Sequence, residues 1–347
     1  MTKKNPFCIS FGKQPFEYID RTVDRQLVID TFDLDPITDQ LFLITGVRGS
    51  GKTVFMNTIA KQLQETENWI VLSESASSDI TNMLYSDLYN QLKSKRPHVK
   101  DVSISIGGAS ISVSNKEPSE NVITKIDELL ARVEKQNKKV LVLIDEVVNT
   151  PQMKEFSHMF QIEIGRNRSI FFLGTGLYEN IFALSNEKDM TFLHRAPKIV
   201  LTPLNQISMA KSYQSIFKFD KEKAMKMAAL TSGYSFAFQA LGYVYWQKGQ
   251  PDSIEDVLVD YEALLADASY SKIWSECSPK DQEILLAVAK TESKEVSEIR
   301  KQCNVSINYF GVYRSRLMKR GILVSPARGQ IQFALPRFKE FILDQIW

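Results

Sequence analysis

A glycine-rich turn between an apolar run and a helical pattern constrains this chain more than any other feature. The turn reads Gly46-Val47-Arg48-Gly49-Ser50-Gly51-Lys52-Thr53. It follows the apolar run 41–44, which predicts a buried strand, and it precedes a helical pattern over 54–63. Such a loop aims several backbone N–H groups, and the positive end of the helix dipole, at one point. The sequence therefore predicts a phosphate-binding loop, in which Lys52 reaches the β- and γ-phosphates of a nucleotide and Thr53 binds Mg²⁺.

A second apolar run ends in two carboxylates and agrees with the first motif. Residues 139–144 predict a buried strand, and Asp145 and Glu146 follow it directly. Mg²⁺ keeps several water ligands and takes one or two carboxylates, so Asp145 is expected to hold the metal. Glu146 is expected to act as the general base that polarises the attacking water. A buried strand with a polar end would show the same residues, but beside a phosphate-binding loop the pair predicts a single phosphoryl-transfer site.

The Asp-Glu pair favours an ATPase with its own catalytic glutamate over a GTPase or a small-molecule kinase. The guanine-specific motif Asn-Lys-x-Asp is absent from the sequence, because Asn115-Lys116-Glu117-Pro118 lacks the aspartate. We therefore expect ATP and Mg²⁺ as the ligands of this site.

Composition and cysteine usage indicate a cytoplasmic protein. Of the 347 residues, 44% are hydrophobic, and the net charge is +2, so binding to a polyanion would need a local basic patch. The three cysteines are too few and too scattered for a disulfide framework or a zinc site. No secretory signal is visible, and no apolar stretch approaches the length of a membrane span. We expect a reducing compartment and no membrane contact.

The order of the strand and helix patterns predicts three domains. Over 41–203 strands and helices alternate, which is typical of a parallel sheet with helices on both faces. The pattern is wholly helical over 204–275, and three helices and a β-ribbon follow it. We predict an α/β fold with a P-loop NTPase core and N-terminal segment (1–203), a helical lid (204–275) and a C-terminal winged helix-turn-helix (276–347).

One segment interrupts the alternation of strands and helices. Residues 102–113 alternate apolar and polar side chains around Gly107-Gly108, which predicts an inserted β-hairpin. The hairpin is either a solvated decoration or a surface that touches DNA or a neighbouring subunit, since loops often carry function.

The C-terminal domain carries the positive charge of the chain. Residues 279–347 contain 12 Lys or Arg and 7 Asp or Glu, a net charge of +5. The third predicted helix of this domain bears four cations and no anion, and the ribbon bears another. These candidate DNA contacts are Arg314, Arg316, Lys319, Arg320 and Arg328. Arg316 and Arg320 share a helix face, and a basic helix face of this kind predicts entry into the major groove of double-stranded DNA. The alternative is a winged helix that is used only for protein contacts.

These motifs together resemble the AAA+ ATPases of the origin-recognition type and the related archaeal and bacterial P-loop ATPases with a C-terminal winged helix. The resemblance covers roughly the whole chain. The run Tyr18-Ile19-Asp20-Arg21 is similar to the family's motif that lies against adenine, with an aspartate in place of its glycine. This similarity implies that Arg21 helps to bind the nucleotide. Thr175 occupies the sensor 1 position, which implies a contact with the γ-phosphate or the attacking water.

The same resemblance implies contacts between subunits. Arg195, just before the last predicted strand of the core, matches the place of the family's arginine finger. Such an arginine stabilises transition-state charge from a neighbouring subunit, and its alternative is a surface ion pair. The sensor 2 helix of the lid would begin at 231–236, where the family often has an arginine and this chain has Ser235. ATP is then expected to close the lid and assemble a homo-oligomer, which hydrolysis to ADP releases.

Two functions stay open at this point. The first is an ATP-hydrolysing AAA+ protein that associates with double-stranded DNA through its winged helix. The second is a slowly hydrolysing, nucleotide-dependent regulatory switch whose winged helix binds protein.

Overall fold

The computed structural model describes residues 4–10, 15–76, 78–93, 119–188, 190–303 and 305–345. They form two compact units. The sheet unit consists of Asp20–Thr45 and Lys52–Val200, and the C-terminal unit of Met1–Ile19, Gly46–Gly51 and Leu201–Trp347. Among the described segments, none of the helices combines the length and the apolar character that a membrane crossing needs.

A five-stranded parallel sheet forms the centre of the sheet unit. Its strands are β1 (Leu41–Thr45), β2 (Trp69–Ser75), β3 (Lys139–Asp145), β4 (Ile170–Gly176) and β5 (Lys198–Val200). They lie in the order β2-β3-β4-β1-β5, and each neighbouring pair is parallel. The strands β1, β3 and β4 are apolar and buried along almost their whole length, as in sheets that are covered on both faces. The predicted α/β class is confirmed.

Within its described residues, the sheet unit contains seven helices. They are α1 (Thr22–Asp33), α2 (Lys52–Gln64), α3 (Ile80–Lys93), α4 (Ser119–Glu134), α5 (Pro151–Gly165), α6 (Tyr178–Ser185) and α7 (Thr191–Arg195). The sequence patterns predict the first four, over 22–32, 54–63, 80–93 and 121–134. Helix α5 was missed although its start carries a recognisable signal: Thr150 caps the helix by accepting the N–H of Met153 at 3.2 Å, and a proline follows the cap.

The register of the sheet brings two predicted site residues, Asp145 and Thr175, to one edge. Ile44 lies opposite Thr175, and Thr45 follows it at the end of β1. Ile144 lies opposite Gly174, so Asp145 is next to Thr175 at the carboxyl ends of β3 and β4. Ligands in open parallel sheets bind outside these carboxyl ends. The predicted hairpin at 102–113 lies outside the described residues and stays a prediction.

The middle of the C-terminal unit is helical, as predicted for the lid. Its helices are α8 (Gln206–Phe217), α9 (Lys221–Ala229), α10 (Ser235–Gln247), α11 (Leu258–Leu265) and α12 (Ser271–Ser275). A 3₁₀ turn precedes α11, and a π turn over Ala266–Tyr270 joins α11 to α12.

The end of the C-terminal unit, residues 279–345, is named the C-terminal module below. Its elements are α13 (Pro279–Lys290), α14 (Val296–Cys303), α15 (Ile307–Lys319), β6 (Leu323–Val324), β7 (Gln332–Phe333) and α16 (Phe338–Asp344). The antiparallel ribbon β6–β7 follows three helices, in the order that the sequence predicts. Helix α16 is an addition that the sequence patterns did not suggest.

One hydrophobic core runs through the lid helices and the C-terminal module. The ring of Phe7, from the N-terminal segment, enters this core and stacks on Phe217 at 5.6 Å between centroids. Gly242 makes room for the ring, because a Cβ atom at that position would lie 2.5 Å from it. The N-terminal segment is therefore packed with the lid. The predicted division into 1–203, 204–275 and 276–347 stays a prediction.

Candidate functional site

Asp145 is held by two threonine hydroxyls at the carboxyl edge of the sheet. The Oγ1 of Thr53, in the first turn of α2, donates to Oδ2 of Asp145 at 2.7 Å. The hydroxyl of Thr175, at the end of β4, donates to the other oxygen, Oδ1. Thr175 is fully buried. Each oxygen of the Asp145 carboxylate thus has a hydroxyl partner, and its orientation is fixed from both sides.

Glu146 adopts a backbone conformation that is rare for a glutamate. Its φ is +55°, in the left-handed region, and conformations of this kind cost on the order of 1–3 kcal/mol. The backbone N–H of Glu146 donates to Oδ1 of Asp145 at 3.1 Å and lies 3.4 Å from Oγ1 of Thr175. These contacts hold the chain in a sharp turn, and the residue is exposed there. Strain at this position, beside a fixed aspartate, is typical of a functional site.

The phosphate-binding loop is bonded along its backbone to the start of α10. Three successive carbonyl oxygens accept hydrogen bonds from three successive residues of the C-terminal unit. The bonds are Tyr234 Oη to the Arg48 oxygen at 2.6 Å, Phe236 N to the Gly49 oxygen at 3.0 Å and Ser235 Oγ to the Ser50 oxygen at 2.8 Å. The sequence indicates only that 231–236 lacks the arginine that the family often has there. It does not predict these three hydrogen bonds to the loop.

Two side chains of the loop lie next to residues that follow the lid helices in the sequence. The guanidinium of Arg48 pairs with the Glu276 carboxylate at 2.8 Å. Val47 packs near Gly321, the residue that ends the turn after α15, since a Cβ atom built there would lie 3.4 Å from the Cβ of Val47. Arg48 was predicted only as a member of the nucleotide-binding motif, and its side-chain partner could not be read from the sequence.

The other predicted core residues lie at element ends. Arg21 immediately precedes α1, and burial lowers the pKa of its guanidinium. Arg195 is the last residue of α7 and is exposed, three residues before the start of strand β5. The structure contains a single chain, so the proposed arginine-finger role of Arg195 stays a prediction.

Two of the predicted DNA contacts are engaged inside the C-terminal module. Arg316 pairs with Asp281 at 2.5 Å and donates to Ser278 Oγ at 3.0 Å. Arg320 has a side chain only 10% exposed and lies 3.8 Å from the same carboxylate. Asp281 itself is buried and forms the capping box of α13 with Ser278. The two arginines do share a face, but in this structure that face points to α13, because Asp281 attracts both.

The rest of the predicted basic surface differs in exposure. Lys319 and Arg328 are exposed, and Arg314 is half-buried. The side of α15 that faces water also carries apolar residues: Ile307 and Val312 are 68% and 67% exposed. Contact with DNA by any of the five cations stays a prediction.

A buried carboxyl that the sequence analysis missed lies on β2. Glu74 is 5% exposed, and neither of its side-chain oxygens has a hydrogen-bond partner within the described residues. Burial, with a smaller contribution from the charge of Asp87, raises the pKa of Glu74 to about 8. It lies opposite Ile144 in the sheet. The period-2 burial of β2 identifies the inward face, but a glutamate on such a face is not expected from its sequence.

Comparisons with known proteins give the fold. Residues 33–162 match a family described as an ATPase domain predominantly from Archaea, and residues 267–342 match a domain of unknown function, DUF8462. No curated protein sequence matches the chain. The chain is similar to the Walker-type ATPase PABY2304 of Pyrococcus abyssi, with a TM-score of 0.68 and 14% identity over 96% of this chain and 99% of that one. It is also similar to the ORC2 protein of Aeropyrum pernix in ADPNP–ADP complexes, with a TM-score of 0.64 and 14% identity over 97% and 96% of the two chains.

Proposed function

We propose that this chain, which has the fold of the AAA+ P-loop ATPases of the origin-recognition type, binds ATP with Mg²⁺ and hydrolyses it. The observation that carries the proposal is the fixed Asp145 carboxylate between Thr53 and Thr175, with Glu146 directly after it. These residues come from three different elements, α2, β3 and β4, and the register of β3 against β4 places Asp145 beside Thr175. Thr53 is also the last residue of the phosphate-binding loop.

The donor set of the site suits magnesium. The hydroxyl of Thr53 and the carboxylate of Asp145 are neighbouring oxygens, which is the ligand type that Mg²⁺ prefers. Thr53 and Asp145 would hold a bound Mg²⁺, which would supply positive charge to offset the charge of the phosphates. Lys52, the first residue of α2, would face the β- and γ-phosphates.

Thr175 has a positioning role in this proposal. Its hydroxyl proton goes to Asp145, so the side chain fixes the metal ligand instead of contacting the γ-phosphate. Glu146 would accept the proton of the attacking water, with its side chain aimed by the left-handed turn. Arg195 would complete the site from a neighbouring subunit in an ATP-bound homo-oligomer, and Arg21 would lie against the nucleotide base.

The replacement Glu146→Gln tests the hydrolytic function. It removes the general base and keeps the size of the side chain, so we expect Mg²⁺-dependent ATP hydrolysis to fall at least about a hundredfold. The affinity for ATP should stay within about twofold. The matched control is Glu155→Gln, on an exposed position of α5 in the same unit, which should hydrolyse ATP like the wild type. Phosphate release and equilibrium nucleotide binding are the two measurements. Normal hydrolysis by Glu146→Gln would overturn the assignment.

We further propose that the C-terminal module binds double-stranded DNA. The support is its charge of +5, its order of three helices and a ribbon, and the exposed cations Lys319 and Arg328 on α15 and the ribbon. Arg314 would contribute from the same helix. In the described structure Arg316 and Arg320 instead hold α15 to the start of α13. Their contribution to DNA binding would require the ion pairs with Asp281 to open.

The salt dependence of DNA affinity distinguishes cations that contact phosphates from cations that hold α15 to α13. Each phosphate contact contributes about −0.9 to the slope of log affinity against log salt. Arg328→Ala should therefore make the slope of the full-length protein shallower by about 0.9, whereas Arg316→Ala should leave the slope unchanged and lower the unfolding temperature. Lys221→Ala removes an equal charge from the exposed start of α9 and serves as the control. Fluorescence anisotropy on labelled duplexes gives the slopes. No binding at low salt, with or without ATP, would contradict the DNA proposal.

One observation favours the second function, a regulatory switch whose C-terminal module binds protein. Helix α15 exposes Ile307 and Val312 to water, and exposed apolar surface is a mark of protein contacts. A failure of the DNA experiment together with intact ATP binding would leave this function in place.

A further inference from the structure

The three bonds between the phosphate-binding loop and the start of α10 set the directions of loop peptides. A peptide unit is planar and trans, so its carbonyl and the following N–H point in opposite directions. The bond from Tyr234 to the Arg48 carbonyl thereby fixes the N–H of Gly49, and the bond from Ser235 to the Ser50 carbonyl fixes the N–H of Gly51.

The loop has its own internal bond between these two points. The N–H of Ser50 donates to the Val47 carbonyl at 3.1 Å and closes a turn. Gly49 and Gly51 have φ values of +77° and +90°, which favour glycine. A Cβ atom at Gly49 would lie 2.1 Å from the Tyr234 hydroxyl. The tyrosine therefore occupies the space that the missing side chain leaves, and the loop and α10 fit each other closely.

A second hydrogen bond, with Ser269, holds the Tyr234 side chain in place. Its hydroxyl lies 2.7 Å from Ser269 Oγ, in the π turn between α11 and α12, and both residues are buried. Because the tyrosine proton goes to the Arg48 carbonyl, the serine is the donor in this second bond. Burial raises the pKa of the Tyr234 hydroxyl, so it stays protonated and remains a donor near neutral pH.

We propose that Tyr234, Ser235 and Phe236 are positioning residues that preorganise the phosphate-binding loop for the nucleotide. The proposal rests on the proposed ATPase function and extends it to the helical part of the chain. The backbone N–H groups of Gly49 and Gly51 are aimed before the phosphates arrive, so binding does not have to order them. A segment of the helical part with no cationic side chain thereby contributes to phosphate binding through hydrogen bonds to loop carbonyls. Preorganisation of this kind raises affinity by lowering the ordering cost.

The test compares two tyrosines that make the same type of bond. Tyr234→Phe removes the bond to the loop, and Tyr213→Phe removes a bond of 2.7 Å from a buried tyrosine to the Phe238 carbonyl, away from the loop. Tyr213→Phe loses one hydrogen bond and Tyr234→Phe loses two, so both should lower the unfolding temperature of the nucleotide-free protein. We expect only Tyr234→Phe to weaken binding of a fluorescent ATP analogue with Mg²⁺, by about tenfold, which corresponds to one hydrogen bond.

Ser235 gives a second, milder pair of variants. Ser235→Ala removes the bond to the Ser50 carbonyl and should weaken binding of the same analogue by about tenfold. Ser235→Thr keeps a hydroxyl and should bind within about twofold of the wild type. If the wild type binds the analogue and both Tyr234→Phe and Ser235→Ala bind it as tightly as Tyr213→Phe, the positioning role is overturned and the ATPase proposal stands. A wild type that binds no nucleotide overturns both.

Discussion

Replacing Lys52 with alanine is expected to reduce ATP binding and hydrolysis to background. The residue starts α2 at the end of the phosphate-binding loop, where its ammonium group would neutralise the β- and γ-phosphates. Alanine retains the helix and removes the charge, so the loss should appear in nucleotide affinity as well as in the rate. Equilibrium binding and phosphate release measure the two effects.

The control for this variant lies on the same helix. Lys61→Ala removes an equal charge from an exposed position in the last turn of α2, and it should bind and hydrolyse ATP like the wild type. If Lys52→Ala retains wild-type affinity for ATP with Mg²⁺, the assignment of 46–53 as the phosphate site is wrong. If Lys61→Ala fails as well, the helix rather than the ammonium group is responsible.

Replacing Glu74 with glutamine is expected to stabilise the protein at alkaline pH by several kcal/mol. The carboxyl has a pKa of about 8 in the folded chain, against an ordinary value of 4.5. The folded state therefore binds more protons between these values. The contribution of the Glu74 carboxyl to the free energy of unfolding is complete below about pH 4.5 and is lost as the pH rises through 8. For a shift of this size the loss is on the order of 5 kcal/mol. Glutamine cannot ionise, so the variant should not show that loss.

Urea unfolding at several pH values between 5 and 9 tests this expectation. The difference in the free energy of unfolding between Glu74→Gln and the wild type should grow with pH in this range. Glu163 keeps part of the slope in both proteins, because burial raises the pKa of this carboxyl to about 7. The exposed control Glu155→Gln should run parallel to the wild type. Parallel curves for Glu74→Gln and the wild type would show that the carboxyl is not buried in a neutral form.

The sequence predicts the parts of the site that are local in the chain. The phosphate-binding loop and Asp145-Glu146 are short motifs whose flanking apolar runs form β1 and β3 as predicted. The bond from Thr175 to Asp145 is different, because it depends on the order of β3, β4 and β1 in the sheet. Periodicity placed a threonine at a strand end and could not say which side chain it would meet.

The basic helix α15 is a second case in which a local sequence pattern does not identify the partners of the side chains. A spacing of four residues correctly put Arg316 and Arg320 on one face. It could not say whether that face met solvent or protein, since the deciding carboxylate, Asp281, lies 35 residues before Arg316. The net charge of a segment also overstates the charge that is available to a ligand when some of its cations form internal ion pairs. The bonds of the loop to Tyr234 span 186 positions, and no local pattern predicts a partner at such a separation.

The ion pair between Arg48 and Glu276 bears on how this chain should be cut into fragments. An obvious truncation would end at residue 275 and retain every recognisable ATPase motif. Such a fragment would lack Glu276 and Gly321, which contact Arg48 and Val47 of the phosphate-binding loop. It would also expose the face of the lid core that packs on the C-terminal module. A low rate of ATP hydrolysis measured on the fragment would then report the damage at the cut, so tests of the proposed ATPase function need point variants in the uncut chain.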